Sequence, residues 1–147
     1  MGSNHFYTEN PGVVTSAIKQ GDYHLEGIAC YVVYISRAGS IPLYHLSDPN
    51  SGNHFYTTDK AEVTSTIKQG SYQLEGFSVA AFSSSQPGTI PLFRVFNPNS
   101  GDYLYTTDEA EAQNAIVNNG YRDKVTACYV NDIRSGQGIP LYRLFNG

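Results

Sequence analysis

The chain has 147 residues, a formal net charge of −4 and only 15% charged residues, with 12 Tyr, 7 Phe and no Trp. That length predicts a single domain able to bury its own core. The acidic balance argues against a nucleic-acid partner held by phosphate neutralisation, and the lack of any apolar run of about 18 residues predicts no membrane insertion.

Met1 to His5 shows no basic and then apolar leader pattern. Asn4-His5-Phe6-Tyr7-Thr8 reads as a strand, and Asn10 followed by Pro11 reads as a helix cap and first helical residue. Val14, Ala17 and Ile18 predict one helix face, and Gly21 ends the helix. A strand containing Glu26-Gly27 and Cys30 follows, then a loop over Ser36 to Ser40. Ile41 to Ser47 is a Tyr-rich strand opened by Pro42, and Asp48-Pro49-Asn50-Ser51-Gly52 is a turn. Asn53 to Thr58 is the second strand of that hairpin. Asp59 caps a helix over Lys60 to Gln69, with Glu62 completing a capping box. Val63, Thr66 and Ile67 share its predicted buried face, so that Ile67→Ala would remove core. A strand over Glu75 to Ser83 and a loop over Ser84 to Thr89 complete the unit. The pattern then repeats: a strand with Arg94, a hairpin return over Asp102 to Thr106, a cap at Asp108 with Glu111, and a helix face of Ala112, Ala115 and Ile116. Ile139 to Gly147 is a further opening strand.

The repeat spacing is 49: Asn4-His5-Phe6-Tyr7-Thr8 recurs at Asn53, and in altered form at Asp102. Ile41-Pro42-Leu43-Tyr44 recurs at Ile90 and Ile139. Three periods of 49 account for all 147 residues. The units run over residues 139–147 with 1–40, then 41–89, then 90–138. Because the first unit is split between the chain ends, Met1 to Tyr7 is expected to pair with Leu141 to Asn146. The fold expected is therefore α+β, a closed pseudo-threefold ring of three strand-strand-helix-strand repeats, with a β-trefoil-like arrangement as the alternative.

These residues resemble a family of tandem repeats of unknown function. The resemblance rests on Asn97-Pro98-Asn99-Ser100-Gly101, His54-Phe55-Tyr56-Thr57 and Gly70-Ser71-Tyr72-Gln73-Leu74-Glu75-Gly76, and covers the whole chain. It implies an extracellular accessory module, often beside enzymes that act on carbohydrates or cell walls.

The residues themselves suggest binding rather than catalysis. On the His-x-Tyr strands, His5 with Tyr7 and His54 with Tyr56 face one side, matched by Tyr105 in the third unit. Tyr rings could stack on sugar faces while polar tips bond hydroxyls; the alternative is a packing role with the hydroxyl satisfied. His45, Arg94 and Arg143 occupy equivalent places and could contact a ligand, or pair with Glu26 or Glu75. Glu26 and Glu75 lie in separate units, which argues against a glycosidase pair. No His spacing suits a metal, no Gly-x-Ser-x-Gly elbow or phosphate loop is present, and no cofactor is expected. Cys30 and Cys128 are equivalents with Val79 between them, which predicts small buried thiols. The expected function is a lectin-like protein, not an enzyme, binding glycans or glycoproteins at up to three weak repeated sites. Its contacts would be His5, Tyr7, His45, His54, Tyr56, Arg94, Tyr105 and Arg143. A protein-binding defence or inhibitor module working through the loops at 36–40 and 84–89 is the alternative.

Overall fold

The computed structural model describes residues 3–132, 134 and 137–147. The first unit supplies β1 (Asn4–Thr8), α1 (Pro11–Lys19) and β2 (His24–Val32). The second supplies β3 (Ile41–Pro42), β4 (Tyr44–Ser47), β5 (His54–Thr57), α2 (Lys60–Lys68), β6 (Gln73–Gly76) and β7 (Ala80–Ala81). The third supplies β8 (Thr89–Phe96), β9 (Tyr103–Thr106), α3 (Glu109–Asn118) and β10 (Arg122–Asn131), and β11 (Ile139–Asn146) ends the chain.

The protein is mostly β, and the expected α+β closed ring is not what forms. The strands divide into three sheets among the described residues: a six-stranded sheet in the order β1-β11-β2-β10-β8-β9, a three-stranded sheet β5-β4-β6, and the pair β3-β7. The break lies in the second unit. Where β11 faces β2, the ladder crosses register shifts between Leu141 and Tyr142 and between Arg143 and Leu144 without parting. At the matching place the second unit stops its strands on both sides, at Leu43 and over Phe77 to Val79, leaving the Leu43 N–H to Val79 carbonyl bond (3.0 Å) across the gap. An extra residue in one strand bends it and interrupts its ladder, and that interruption separates β3-β7 from β5-β4-β6. Among the described residues β3-β7 meets the six-stranded sheet only near the isolated bridges Val33–Ala80 and Phe82–Tyr129. The chain ends do pair, from Asn4 opposite Asn146 to Thr8 opposite Tyr142; Met1 and Gly2 of the expected pairing lie outside the described residues.

The main core is four sets of three equivalent residues: Tyr7, Tyr56 and Tyr105; Cys30, Val79 and Cys128; Val32, Ala81 and Val130; Leu43, Leu92 and Leu141. The 49-residue period thus reappears as shells of matched side chains, which fill space most uniformly when each shell is of one size. Both cysteines are free and buried, and burial pushes the Cys128 thiol up to about 12.

The helices begin as their sequences dictate. Asn10, Asp59 and Asp108 each accept from a backbone N–H of the first turn. Of the expected capping boxes, the Asp108 side chain does accept the Glu111 N–H (3.3 Å), but neither Glu62 nor Glu111 reaches back to its N-cap. Thr8, Thr57 and Thr106 accept the N-cap backbone N–H instead (3.0–3.2 Å), because the preceding strand already places that hydroxyl there. Glu62 and Glu111 are thereby released for another partner. The predicted helix faces are also only half right. Val14, Val63, Ala112 and Ala115 are buried, but Ile18 and Ile67 are exposed, Ile67 by 41%. In α1 and α2 the helix packs through Val14 and Val63 and lifts its last turn towards solvent, whereas α3 stays packed through Ala115 and Ile116. Val63→Ala is therefore expected to cost about 1–3 kcal/mol, and Ile67→Ala about 0.5 kcal/mol or less. Denaturant midpoints of the two variants check this; equal losses would contradict the tilt.

Gly101 shows why the turns are fixed in composition. It has φ +79, and a Cβ there would come within 2.5 Å of the Asn53 side chain, whose amide donates to the Ser100 carbonyl at 3.0 Å.

Candidate functional site

The three tyrosines expected to stack on a ligand lie at the centre of the core, with 2–6% of their surface exposed. They form a cycle. The Tyr56 hydroxyl accepts from the Tyr7 N–H (2.9 Å) and donates to the Tyr7 carbonyl (3.1 Å). Tyr105 does the same for Tyr56 (2.7 and 2.7 Å), and Tyr7 for Tyr105 (2.7 and 3.3 Å). Their rings meet edge to face at 5.3–5.5 Å. Tyr7, Tyr56 and Tyr105 are packing and hydrogen-bonding residues rather than an open sugar platform.

His5 is also buried. Its Nδ1 lies 2.6 Å from Asp102 Oδ2 and its Nε2 lies 3.1 Å from Glu26, while its backbone N–H donates to Asp102 Oδ1 at 2.7 Å. Burial alone would lower its pKa, but the bonds to Asp102 and Glu26 outweigh that and raise it. Asp102 also accepts the Tyr121 hydroxyl at 2.6 Å. Asp102 stands where Asn4 and Asn53 stand in the other units. Those amides donate to Ser51 and Ser100 carbonyls; a carboxylate cannot donate, and so it gathers donors instead.

Arg94 and Arg143 are tied within the protein. Arg94 makes a two-pronged pair with Glu62 (2.8 and 3.2 Å) and lies over the Phe55 ring at 4.8 Å. Arg143 pairs with Glu111 (2.7 and 3.0 Å), with Glu26 (2.8 Å) and with the Tyr105 carbonyl (3.4 Å). The guanidinium beside Glu111 holds that carboxyl below the usual range, and for Glu62 the Arg94 and Thr57 bonds overcome an opposing effect of burial. The expected pairing with Glu26 is present for Arg143. The partners Glu62 and Glu111 were missed because the capping-box spacing assigned them elsewhere.

His45 stands where these arginines stand, yet among the described residues no carboxylate is bonded to it. Its Nε2 lies 2.9 Å from His54 Nδ1, and its ring stacks on Tyr56 at 4.6 Å. Burial lowers both pKa values to about 4, so both rings are neutral near pH 7. The residue matching Glu62 and Glu111 is Val13. The first-to-second-unit junction thus lacks both halves of the ion pair that fills the other two.

A cavity of about 270 Å³ opens there, lined by Phe6, Val13, His45, Glu75 and Phe77 among others, with Glu9 and Ser78 at its side. Phe77 is half-exposed, and Tyr44 braces it edge-on at 5.6 Å. Glu9 accepts from the Ser78 hydroxyl at 3.0 Å, and Glu75 accepts from Ser47 and Gln73. The Ser47 hydroxyl, followed by Gln73, lowers the Glu75 pKa, so it is ionised at neutral pH. A second cavity, of about 420 Å³ and more polar, lies beside α3 and is bordered by His5, Arg143, Glu111 and Tyr121. The expected site residues therefore divide: Tyr7, His45 and Tyr56 edge the first cavity, His5 and Arg143 the second, and His54 borders a smaller hollow by Tyr23. Phe77, Glu9 and Glu75 complete the first cavity, and no repeat signal marks Phe77 or Glu9, whose equivalents are Ile28 and Thr126, and Thr58 and Thr107. The turns at 36–40 and 84–89 close on themselves through Ser40 and Thr89 and border neither cavity. Among the described residues no group of His, Cys, Asp and Glu is placed to hold a metal, and no helix is long and apolar enough to cross a membrane.

A family model described as "Domain of unknown function (DUF5648)" matches the chain twice, over residues 2–82 and again over 42–147. The two matches overlap over residues 42–82. No curated protein and no solved structure matches the chain.

Proposed function

Since the chain belongs to the DUF5648 family, we propose its function from the cavity itself: a lectin-like module that binds glycan, without catalysis, in the cleft between the first and second units. The observation that carries this reading is the missing ion pair. At two junctions an Arg–Glu pair occupies this position, the second cavity lying beside the Arg143–Glu111 pair, whereas at the third the position itself opens as a cavity with a half-exposed aromatic ring and a polar rim. Pockets of this kind, mostly apolar with a few convergent polar groups, suit small ligands. The Phe77 face would lie against sugar C–H groups, and Glu9, Glu75, Ser78 and His45 would take hydroxyls. Affinity for a single sugar would be weak, about millimolar, because few atoms are buried. Clustered glycans would be held by linked binding events.

The test is a glycan array followed by calorimetry. Phe77→Ala is expected to weaken the best array ligand at least tenfold while costing less than about 1 kcal/mol of stability, since half of the ring is already in water. Unchanged binding by a folded Phe77→Ala protein would remove the cleft as the site.

A further inference from the structure

Resting on that reading, we infer that the cleft between the first and second units selects glycans bearing a free, protonated amine. The two filled junctions show how this protein holds a cation at this position. Arg94 rests on the Phe55 ring, and Arg143 meets Glu26 and the Tyr105 carbonyl. The residues that match these in the first junction are Phe6, Glu75 and the Tyr7 carbonyl. All three are retained there. Phe6 and Glu75 line the cavity, and the Tyr7 carbonyl accepts the Tyr56 hydroxyl, as the Tyr105 carbonyl accepts that of Tyr7 while also taking Arg143. What is gone is the ion pair itself: the shorter, neutral His45 replaces the arginine, and Val13 replaces its two-pronged glutamate partner. The cleft is therefore a cation socket without its cation.

Two charges reinforce this. Glu75 carries the negative charge that Glu26 spends on Arg143, and Glu9 adds a second where the other units have Thr58 and Thr107. Neither Glu9 nor Glu75 is in an ion pair with a cation among the described residues. His45 and His54 do not supply one, being held neutral by burial. Val13 replaces the glutamate that would otherwise anchor an internal arginine, which leaves room for an incoming group. An ammonium over an aromatic face beside carboxylates is a favourable arrangement, whereas an N-acetyl group there is neutral and larger.

The experiment is calorimetry at pH 6 with a β-1,4-linked glucosamine tetramer and its fully N-acetylated counterpart. The free-amine tetramer is expected to bind at least tenfold more tightly than the acetylated one. Glu75→Gln should remove most of that difference, as should raising salt from 50 to 500 mM. Val13→Glu with His45→Arg rebuilds the pair found at the other junctions, and it should fold normally and abolish binding of both tetramers. Acetylated tetramer binding as tightly as the free amine overturns the amine selection and leaves the glycan reading standing. Failure of both tetramers, with heat of binding from N-acetyl-arginine amide that Glu75→Gln removes, overturns the amino-glycan inference and the glycan reading together in favour of a peptide side chain. No heat from any of the three probes overturns the socket itself.

Discussion

Asp102→Ala is expected to cost about 3–5 kcal/mol, among the largest losses any single change in this chain can cause. The carboxylate is fully buried and serves three donors at once: the His5 backbone N–H, the His5 ring and the Tyr121 hydroxyl. Removing one partner of a buried charged cluster strands the others without water, which is the costly case. His5 would then remain beside Glu26 and Arg143 with its Nδ1 unmet. Asp102→Asn keeps the volume and is expected to cost less, about 1–3 kcal/mol, because the amide oxygen can still accept one bond.

The same cluster makes stability depend on pH with a definite sign. The folded pKa of His5 is raised above its ordinary 6.5. Its contribution is therefore fully present below pH 6.5 and is lost as pH rises through the raised value. Burial raises the Glu26 pKa, but the His5 and Arg143 interactions overcome this and leave it below 4.5. Its contribution is present above pH 4.5 and is lost as pH falls through the lowered value. Between about pH 4.5 and 6.5 both contributions are intact. Urea denaturation at pH 5.5 and pH 8.5 should show a smaller gap between wild type and Asp102→Ala at the higher pH. A gap that stays constant would mean that His5 is neutral in the folded protein throughout.

Much of this arrangement can be read from the 49-residue spacing. Equivalent positions fall into equivalent shells, so Cys30, Val79 and Cys128 could be placed together as small buried groups from their spacing alone. The helix caps at Asn10, Asp59 and Asp108 and the pairing of β1 with β11 are likewise properties of local chemistry and register. Three features were hidden for physical reasons. Tyrosine satisfies both a core and a ligand surface by composition, and only the reciprocal bonds from each hydroxyl to the next unit's backbone decide between them. Glu62 matches a capping box by spacing, yet Thr57 stands nearer to the N-cap N–H and the arginine of the next unit outcompetes a neutral donor for the carboxylate. The separation of the sheets depends on where a bulge breaks its ladder, and the second unit carries no residue at Leu43 or Ser78 that signals a break. One signal was available and is general to repeats. Arg94 and Arg143 come with Glu62 and Glu111, whereas His45 comes with Val13. Two differences confined to one junction point to a contact there, and the open cleft is its consequence.

The tyrosine cycle should respond unequally to loss of its hydroxyls. Tyr56→Phe removes the acceptor for the Tyr7 N–H and the donor to the Tyr7 carbonyl, both buried. Leaving two buried backbone groups unmet costs about 2–4 kcal/mol. Tyr105→Phe strands the N–H and carbonyl of Tyr56 in the same way and is expected to cost as much. Tyr7→Phe is expected to be milder, about 1–2 kcal/mol, because the Tyr105 carbonyl keeps Arg143 at 3.4 Å and its bond to the Tyr7 hydroxyl is the longest of the six, at 3.3 Å. In each case the ring stays, so the change reports the hydroxyl and not a cavity. Tyr7→Phe combined with Arg143→Gln should then lose more than the two single losses together, since each is the other's reserve on one carbonyl. The readout is the free energy of unfolding of the single and double variants in urea. Additive losses would show that Arg143 does not share that carbonyl in solution, and three equal single losses would show that the cycle makes no distinction among its members.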